Sequence, residues 1–182
     1  MRTPSSRFLV PTVVTVTVAA ALCGVGAWVL ATPPDFAAMK REVRSRFPEV
    51  AQLSTGELAA WLGDSKRAQP TLLDARTEKE FAVSHLPGAR RVEPSAKAEE
   101  LLPQLPSGRP VVVYCSVGYR SSAVAERLKK AGVVAVFNLE GSIFQWANEG
   151  RPLEADGHPT DKVHPYNSKF GKMLDEKRRA EP

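Results

Sequence analysis

The chain has 182 residues, of which 43% are hydrophobic and 25% are charged, and its formal net charge is +5. This composition is typical of a globular protein with one domain of ordinary size and some additional segments, and it argues against a disordered chain. The basic residues are spread along the sequence without a dense run, so the net charge does not indicate a nucleic-acid-binding protein.

The N-terminal segment, residues 1–31, has the pattern of a transmembrane anchor or a signal segment. Residues 8–31 contain no charged side chain and follow two arginines, and they are long enough to cross the roughly 30 Å hydrocarbon layer as a helix. A secretory signal has the same order of charges, but its apolar region is usually only about 7–15 residues long. The length therefore favours an uncleaved membrane anchor over a signal that is removed.

The side of the membrane on which the rest of the chain lies follows less directly, because basic residues flank the apolar segment at both ends. The order of basic residues, apolar run and uncharged "ATPP" favours a cytoplasmic N-terminus, with the domain outside the cytoplasm, in the periplasm. Secretion after cleavage and a domain that faces the cytoplasm are the alternatives.

Residues 32–48 are predicted to form an amphipathic juxtamembrane helix or linker, which ends at Pro48. Apolar side chains recur at helical spacing in "FAAMKREVRSRF", with basic residues between them. Such a helix can lie on a membrane surface or pack against its own domain, and both readings stay open. The apolar positions are Phe36, Met39, Val43 and Phe47.

Between residues 49 and 155, strand-like and helix-like patterns alternate, which predicts an α/β domain with a mostly parallel sheet. The run "PVVVYC" is typical of a strand buried on both faces. The stretch "SSAVAERLKKAG" that follows is predicted to be a helix with a serine cap at its start and Gly132 at its end. The polar tail, residues 156–182, is either docked on the domain or loose. Further helices are expected in "STGELAAWL", "KAEELLPQL" and "SIFQWANEG", and further strands in "TLLDA" and "VVAVFNLEG".

Cys115 is the residue that most clearly indicates chemistry. The other cysteine, Cys23, lies in the apolar N-terminal segment, so Cys115 is expected to be a lone thiol. It closes a buried strand, and ligands of parallel sheets bind at the carboxyl ends of the strands. Gly118 allows the backbone N–H groups to turn inward, and the helix from Ser121 points its N-terminus at the sulfur. This arrangement would lower the thiol pKa below its reference of about 8.5.

Arg120 adds a fixed positive charge, in a planar form that suits an oxyanion. The alternative is that Cys115 only fills the core, as many cysteines do. That alternative does not explain the glycine, arginine and serines that follow, so we predict a reactive Cys115.

Three stretches resemble the signatures of rhodanese-type sulfurtransferases, in the same order along the chain. "YCSVGYRSSAVAERLKKAG" is similar to the family's Cys-x-x-Gly-x-Arg-Ser loop and the following helix. "LLDARTEKEFAVSHLPGARRV" is similar to its Asp-x-Arg turn, Glu-Phe and His-Ile-Pro-Gly-Ala, and "LEGSIFQWANEGRPL" to its closing Gly-Gly-x-x-x-Trp-x-x-x-Gly-x-Pro. The resemblance covers residues from about 50 to 153.

The resemblance implies a rhodanese-like three-layer fold, in which helices flank a five-stranded, mostly parallel sheet. It also implies that the Cys115 thiolate takes a sulfane sulfur from thiosulfate or a persulfide and passes it to a thiol or cyanide acceptor. Neither a metal nor an organic cofactor is implied. The residues that would bind the persulfide are Ser116, Val117, Gly118, Tyr119, Arg120 and Ser121.

By the same resemblance, four residues should form a polar network that ties the early strand to the loop: Asp74, Arg76, Glu80 and His85. Structural hydrogen bonding and charge pairing are favoured for them over direct catalytic roles.

The chain departs from the family at five positions, of which Ser84, in place of the usual glycine, and Leu86, in place of the common isoleucine, are tolerable. Ser116 and Val117 stand where the two-domain thiosulfate enzymes carry basic residues, so Arg120 is the cation of the loop. The identity of the sulfur donor therefore stays open. Ser142 replaces the second glycine of the closing signature.

Two other functions compete with sulfur transfer. Cysteine-dependent phosphatases and arsenate reductases place five residues between cysteine and arginine, whereas four separate Cys115 from Arg120. The shorter loop should form a cradle for a sulfur atom that is too small for phosphate. A non-catalytic rhodanese-like module that binds a partner protein is the second competitor, but such modules often lack the cysteine. His158 and His164 are interpreted as loop residues and not as metal ligands, because clustered cysteines or carboxylates are absent near them.

Overall fold

The computed structural model describes residues 35–181. A five-stranded sheet lies at its centre, with the strand order β1-β5-β4-β2-β3 and parallel pairing throughout. This confirms the predicted rhodanese-like α/β fold. The strands are β1 (Ala51–Leu53), β2 (Thr71–Asp74), β3 (Arg90–Arg91), β4 (Val111–Tyr114) and β5 (Val136–Leu139). The helices are α1 (Phe36–Arg46), α2 (Thr55–Gly63), α3 (Glu78–Val83), α4 (Ala98–Leu101), α5 (Tyr119–Lys130) and α6 (Ser142–Asn148).

The central strand β4 is buried on both faces, as its unbroken β-branched run predicts. Because successive side chains of a strand point to opposite faces, Val112 and Tyr114 join one apolar cluster and Val113 joins another. The first cluster includes side chains of α2 and α6, and the second includes side chains of α1 and α5. The sheet is therefore the middle layer of three, and β4 delivers Cys115 to its carboxyl edge.

Helix α5 begins at Tyr119, two residues before the predicted start, and the predicted serine cap is wrong. Its N-cap is Gly118, whose φ of 107° lies in the left-handed region, and no side chain caps the helix. Ser121 and Ser122 are fully buried in the first turn, and the Ser121 hydroxyl lies against Asn138 of β5. The predicted end is confirmed: the N–H of Gly132, also left-handed, donates to the Lys129 carbonyl at 3.0 Å.

Helix α1 packs against the rest of the described domain. Val43 is only 2% exposed and belongs to the core cluster that contains Cys115. The Arg44 guanidinium donates two hydrogen bonds to the Glu140 carboxylate, at 2.6 and 3.1 Å. The sequence left two readings for this stretch, a helix on a membrane surface or a helix packed on its own domain. The structure shows the second for α1.

The tail is docked as well. It begins with β7 (His158–Thr160), which pairs in an antiparallel hairpin with β6 (Leu153–Ala155), and it contains two short 3-10 helices, Phe170–Met173 and Glu176–Arg178. Val163 and Leu174 are at most 1% exposed and join the main apolar cluster.

Within residues 35–181, none of the helices has the length and apolar character needed to cross a membrane. The predicted anchor or signal segment, residues 1–31, lies outside the described residues.

Candidate active site

The Cys115 loop, residues 115–121, connects β4 to α5 and places the thiol under the start of the helix. Cys115 is 1% exposed, and its Sγ accepts a hydrogen bond from the Gly118 N–H at 3.2 Å. Only a residue that tolerates positive φ without strain suits position 118, and a Cβ there would also lie 3.4 Å from the Asn138 Nδ2. Gly118 thus turns a backbone donor onto the sulfur, as the sequence predicts.

The first turn of α5 adds polar groups to the same sulfur. Ser121 Oγ lies 3.4 Å from Cys115 Sγ and 2.6 Å from the Asn138 Oδ1. A hydroxyl has one hydrogen to donate, and the shorter contact favours Asn138 as its acceptor. Asn138 in turn donates to the Gln52 Oε1 at 2.7 Å, so a chain of side chains across β5 and β1 orients Ser121.

The pKa of Cys115 lies below its ordinary value. Burial raises this pKa, but the positive charge of Arg120 and hydrogen bonds from the backbone N–H groups of Ser121 and Gly118 outweigh the effect of burial. The site therefore favours a thiolate, which is the nucleophilic form of cysteine.

Arg120 is held by Glu80, which the sequence had not paired with it. The guanidinium donates from Nη1 and Nη2 to the two Glu80 carboxylate oxygens, at 2.9 and 2.7 Å. Nη2 also donates to Ser116 Oγ at 2.9 Å, and Ser116 donates to the Glu80 Oε1 at the same distance. Arg120, the cation that the sequence predicts for the loop, is therefore one half of an ion pair.

Glu80 stays ionised because of these partners. Burial raises its pKa, but hydrogen bonds from Arg120 and from the backbone and side chain of Thr77 lower it to about 2. The Thr77 contacts form a capping box that fixes the start of α3. A local helix cap thus positions the carboxylate that reaches the Cys115 loop.

The other three residues of the predicted network do not contact this loop. Asp74 and Arg76 form a wholly buried pair, with 2.7 Å between Asp74 Oδ2 and Arg76 Nη2. His85 stacks on Phe81 and lies 3.4 Å from the Glu154 carboxylate. The charge of Glu80 also raises the pKa of Arg76, but of these four residues Glu80 is the one that bonds to the loop.

Ser142 has a role that the sequence only hinted at. Its Oγ accepts the Cys115 N–H at 3.1 Å and donates to the Leu139 carbonyl at 2.9 Å. Its φ of 51° is left-handed, which agrees with the glycine that the family carries there. The departure from glycine adds a side chain that fixes the backbone of Cys115.

A cavity of about 440 Å³ opens over the Cys115 loop. Met39 and Glu42 of α1 line it on one side, and Tyr166, Lys169 and Phe170 of the tail line it on the other. The histidines weighed as metal ligands lie elsewhere in the tail: His158 is exposed in β7, and His164 Nδ1 accepts the Tyr166 N–H at 3.0 Å.

Fold and loop together define an α/β domain that presents one cysteine to a cradle of backbone N–H groups at the carboxyl edge of a parallel sheet. The family model for the rhodanese-like domain matches residues 54–149, which is more than half of the chain. The chain belongs to this family.

Similar proteins from bacteria agree with the assignment. A "Sulfurtransferase" of Allochromatium vinosum is 32% identical over 106 residues, which cover 58% of this chain and 96% of that protein. The "Probable adenylyltransferase/sulfurtransferase MoeZ" of Mycobacterium tuberculosis is 34% identical over 97 residues, 53% of this chain. The match spans only 24% of the length of that larger relative.

A solved structure shows the same fold. The crystal structure of a rhodanese-like domain protein from Staphylococcus aureus is 28% identical and superposes with a TM-score of 0.51. It covers 59% of this chain and 100% of its own. Helix α1 and the tail, which line the cavity, lie outside the residues that the family model matches.

Proposed function

We propose that the protein is a sulfurtransferase in which Cys115 carries a sulfane sulfur from thiosulfate or a persulfide to a thiol or cyanide acceptor. The observation that carries the proposal is the hydrogen bond from the Gly118 N–H to Cys115 Sγ, at 3.2 Å, beneath the first turn of α5. Backbone donors and a helix N-terminus stabilise negative charge on sulfur without a metal. Membership of the rhodanese-like family and the sulfurtransferase names of its relatives also support this reaction class.

The first half-reaction is an attack of the Cys115 thiolate on the outer sulfur of the donor. The sulfur–sulfur bond of the donor breaks, and its electron pair leaves with sulfite from thiosulfate, or with a thiolate from an organic persulfide. Cys115 then carries a persulfide, whose terminal sulfur bears the negative charge. The N–H groups of the Cys115 loop stabilise this charge as they stabilise the thiolate.

The second half-reaction regenerates the enzyme. A thiolate or cyanide attacks the outer sulfur, the bond between the two sulfur atoms of Cys115 persulfide breaks, and the Cys115 thiolate leaves. Electrons balance without an external oxidant or reductant, because one sulfane sulfur has changed carriers. The positive charge of Arg120 lowers the pKa of Cys115 and so makes its thiolate a better leaving group.

The test is to incubate the purified full chain with thiosulfate and, separately, with an organic persulfide, and then to measure its intact mass. We expect a gain of one sulfur atom that maps to Cys115 and that Cys115→Ser abolishes. If none of several sulfane donors adds sulfur at Cys115, the proposal fails.

The same preparation should not hydrolyse an aryl phosphate. Four residues separate Cys115 from Arg120, and Glu80 already occupies the guanidinium fork that would bind the phosphate oxygens. Turnover of an aryl phosphate that disappears in Cys115→Ser would instead assign the site to phosphoryl transfer.

A further inference from the structure

The tail segment, residues 163–174, is fixed firmly beside the active site. Asn148 of α6 donates from Nδ2 to the Met173 carbonyl at 2.8 Å, and its Oδ1 accepts the Asp175 N–H at 2.9 Å. Gly171 packs so closely on Pro165 that a Cβ would lie 2.8 Å from the proline Cβ. The tail segment is therefore a well-packed wall of the cavity, held in place by hydrogen bonds to α6.

Tyr166 is held over the loop in an uncommon backbone conformation. Its φ is 62°, and the Asn167 N–H donates across it to the Pro165 carbonyl at 2.7 Å, which forms a γ-turn. A bulky residue with left-handed φ persists only where its surroundings impose it, and such residues cluster at functional sites. The ring lies 4.8 Å from the Arg120 Cζ, and 5.9 Å from the ring of Phe170.

Two charged side chains of opposite sign line the same cavity and are free to bind a ligand. Lys169 belongs to the tail segment and Glu42 to α1, and both are exposed. Among residues 35–181, neither forms an ion pair within 4 Å. Arg120, in contrast, is already paired with Glu80.

The cavity is larger than a small inorganic donor requires. Its volume is about 440 Å³. At roughly 30 Å³ per non-hydrogen atom, as in liquid water, the five atoms of thiosulfate would fill about 150 Å³. The remaining space suits the body of an organic molecule.

We propose that Lys169, Tyr166 and Glu42 form a subsite for the non-reacting part of an organic thiol or persulfide that carries a carboxylate and an ammonium group. Lys169 binds the carboxylate, Glu42 binds the ammonium group, and Tyr166 packs on the apolar part between them. Among the described residues that line the cavity, Lys169 is the single cation without a carboxylate partner. Because thiosulfate can pair with this one cation alone, it is the poorer donor. This inference rests on the proposed sulfur transfer and specifies the substrate class of the same cavity.

The test compares three sulfur donors on the full chain: glutathione persulfide, the persulfide of 2-mercaptoethanol, whose organic part is uncharged, and thiosulfate. Rates of Cys115 loading are measured against donor concentration, so that KM and the limiting rate separate. We expect the lowest KM for glutathione persulfide. Lys169→Ala should raise that KM by about threefold to fivefold, the range of a partly exposed ion pair, and leave the limiting rate and the KM of the 2-mercaptoethanol persulfide unchanged.

Lys172→Ala is the matched control, because Lys172 is an exposed lysine of the same segment that does not line the cavity. Glu42→Gln and Tyr166→Ala should act on KM in the same direction as Lys169→Ala. Equal KM values for Lys169→Ala and Lys172→Ala, or equal preference for the two persulfides, would overturn the subsite.

A binding measurement separates failure of the subsite from failure of the proposed function. S-methylglutathione cannot donate sulfur, and calorimetry on the full chain reports its affinity without any reaction. Weaker binding to Lys169→Ala than to Lys172→Ala supports the subsite even if no donor loads Cys115. Equal binding to the two variants contradicts the subsite even if sulfur transfer is fast.

Discussion

Two ion pairs near the end of β2 use the same chemistry for different purposes. Asp74 and Arg76 are two residues apart, and both side chains are 0% exposed. Glu80 and Arg120 are 40 residues apart and join α3 to the start of α5, with the Arg120 side chain 23% exposed at the cavity. The first pair closes a turn inside one segment, whereas the second ties that segment to the reactive loop. Changes in the first pair should therefore alter stability alone, and changes in the second should alter stability and sulfur chemistry together.

Asp74→Asn should have the largest effect on stability. It keeps the volume but leaves the Arg76 charge buried without a carboxylate, which costs about 3–5 kcal/mol. Urea unfolding of the full chain measures this loss, and Cys115 loading per folded molecule should stay normal. Asp161→Asn, at an exposed acid 3.9 Å from Arg178, is the control and should change stability little. A normal stability for Asp74→Asn would show that the two pairs do not differ as described.

Glu80→Gln should lower the free energy of unfolding by about 2–3 kcal/mol at pH 7, because one partner of a largely buried pair loses its charge. The Glu80 pKa falls from 4.5 to about 2 on folding. Its contribution is therefore complete above about pH 4.5 and is lost as the pH falls toward 2. Unfolding of the wild type and of Glu80→Gln at pH 7 and at pH 3 should show a smaller difference at pH 3. A difference that does not depend on pH would mean that Glu80 does not act as a charge.

Arg120→Lys should slow Cys115 loading by about tenfold, because an ammonium group cannot make the two-pronged contact with Glu80 and still bond to Ser116. The pKa of Cys115 should rise as the charge moves away from the sulfur. The rate of alkylation by iodoacetamide as a function of pH reports this pKa directly. Arg109→Lys, at an exposed arginine that does not line the cavity, serves as control. An unchanged pH profile in Arg120→Lys would show that Arg120 does not lower the pKa of Cys115.

Ser116→Ala should have the smallest effect, about 1 kcal/mol in stability. Its hydroxyl bridges Glu80 and Arg120 but is not their main contact. The loading rate should change by less than the Arg120→Lys rate does. Ser107→Ala, at an exposed serine, controls for the loss of a hydroxyl. A larger loss of activity in Ser116→Ala than in Arg120→Lys would reverse the ranking of these contacts.

Three strands of the sheet, β2, β4 and β5, and the position of Cys115 could be predicted because their signals are local. The short strands β1 and β3 gave no such signal and were expected only from the five-stranded sheet that the family resemblance implied. A β-branched run that ends in cysteine and is followed by glycine indicates a buried strand and a tight turn, whatever the rest of the chain does. The start of α5 could not be predicted in the same way. Serine favours N-cap positions, but Ser121 is drawn inside by Asn138 and the sulfur. The backbone of Gly118 takes the cap instead.

The pairing of Glu80 with Arg120 and the walls of the cavity depend on contacts that are distant in sequence. The family resemblance places Glu80 in a network that reaches the loop, but neither the charge of Glu80 nor its helix identifies Arg120, 40 residues away, as its partner. In the same way, Lys169 and Glu42 are ordinary charges on polar stretches until the fold brings α1 and the tail to one cavity. The resemblance to a family stops short of both segments, so it carries no information on them.

The most direct test of the central claim is a single turnover of the loaded protein. The full chain is loaded with sulfur, freed of donor and mixed with cyanide, and its mass and the thiocyanate formed are followed together. The account predicts that Cys115 loses one sulfur atom and that an equimolar amount of thiocyanate appears. Sulfur that stays on Cys115, or leaves without forming thiocyanate, would contradict the role of Cys115 as a sulfur carrier.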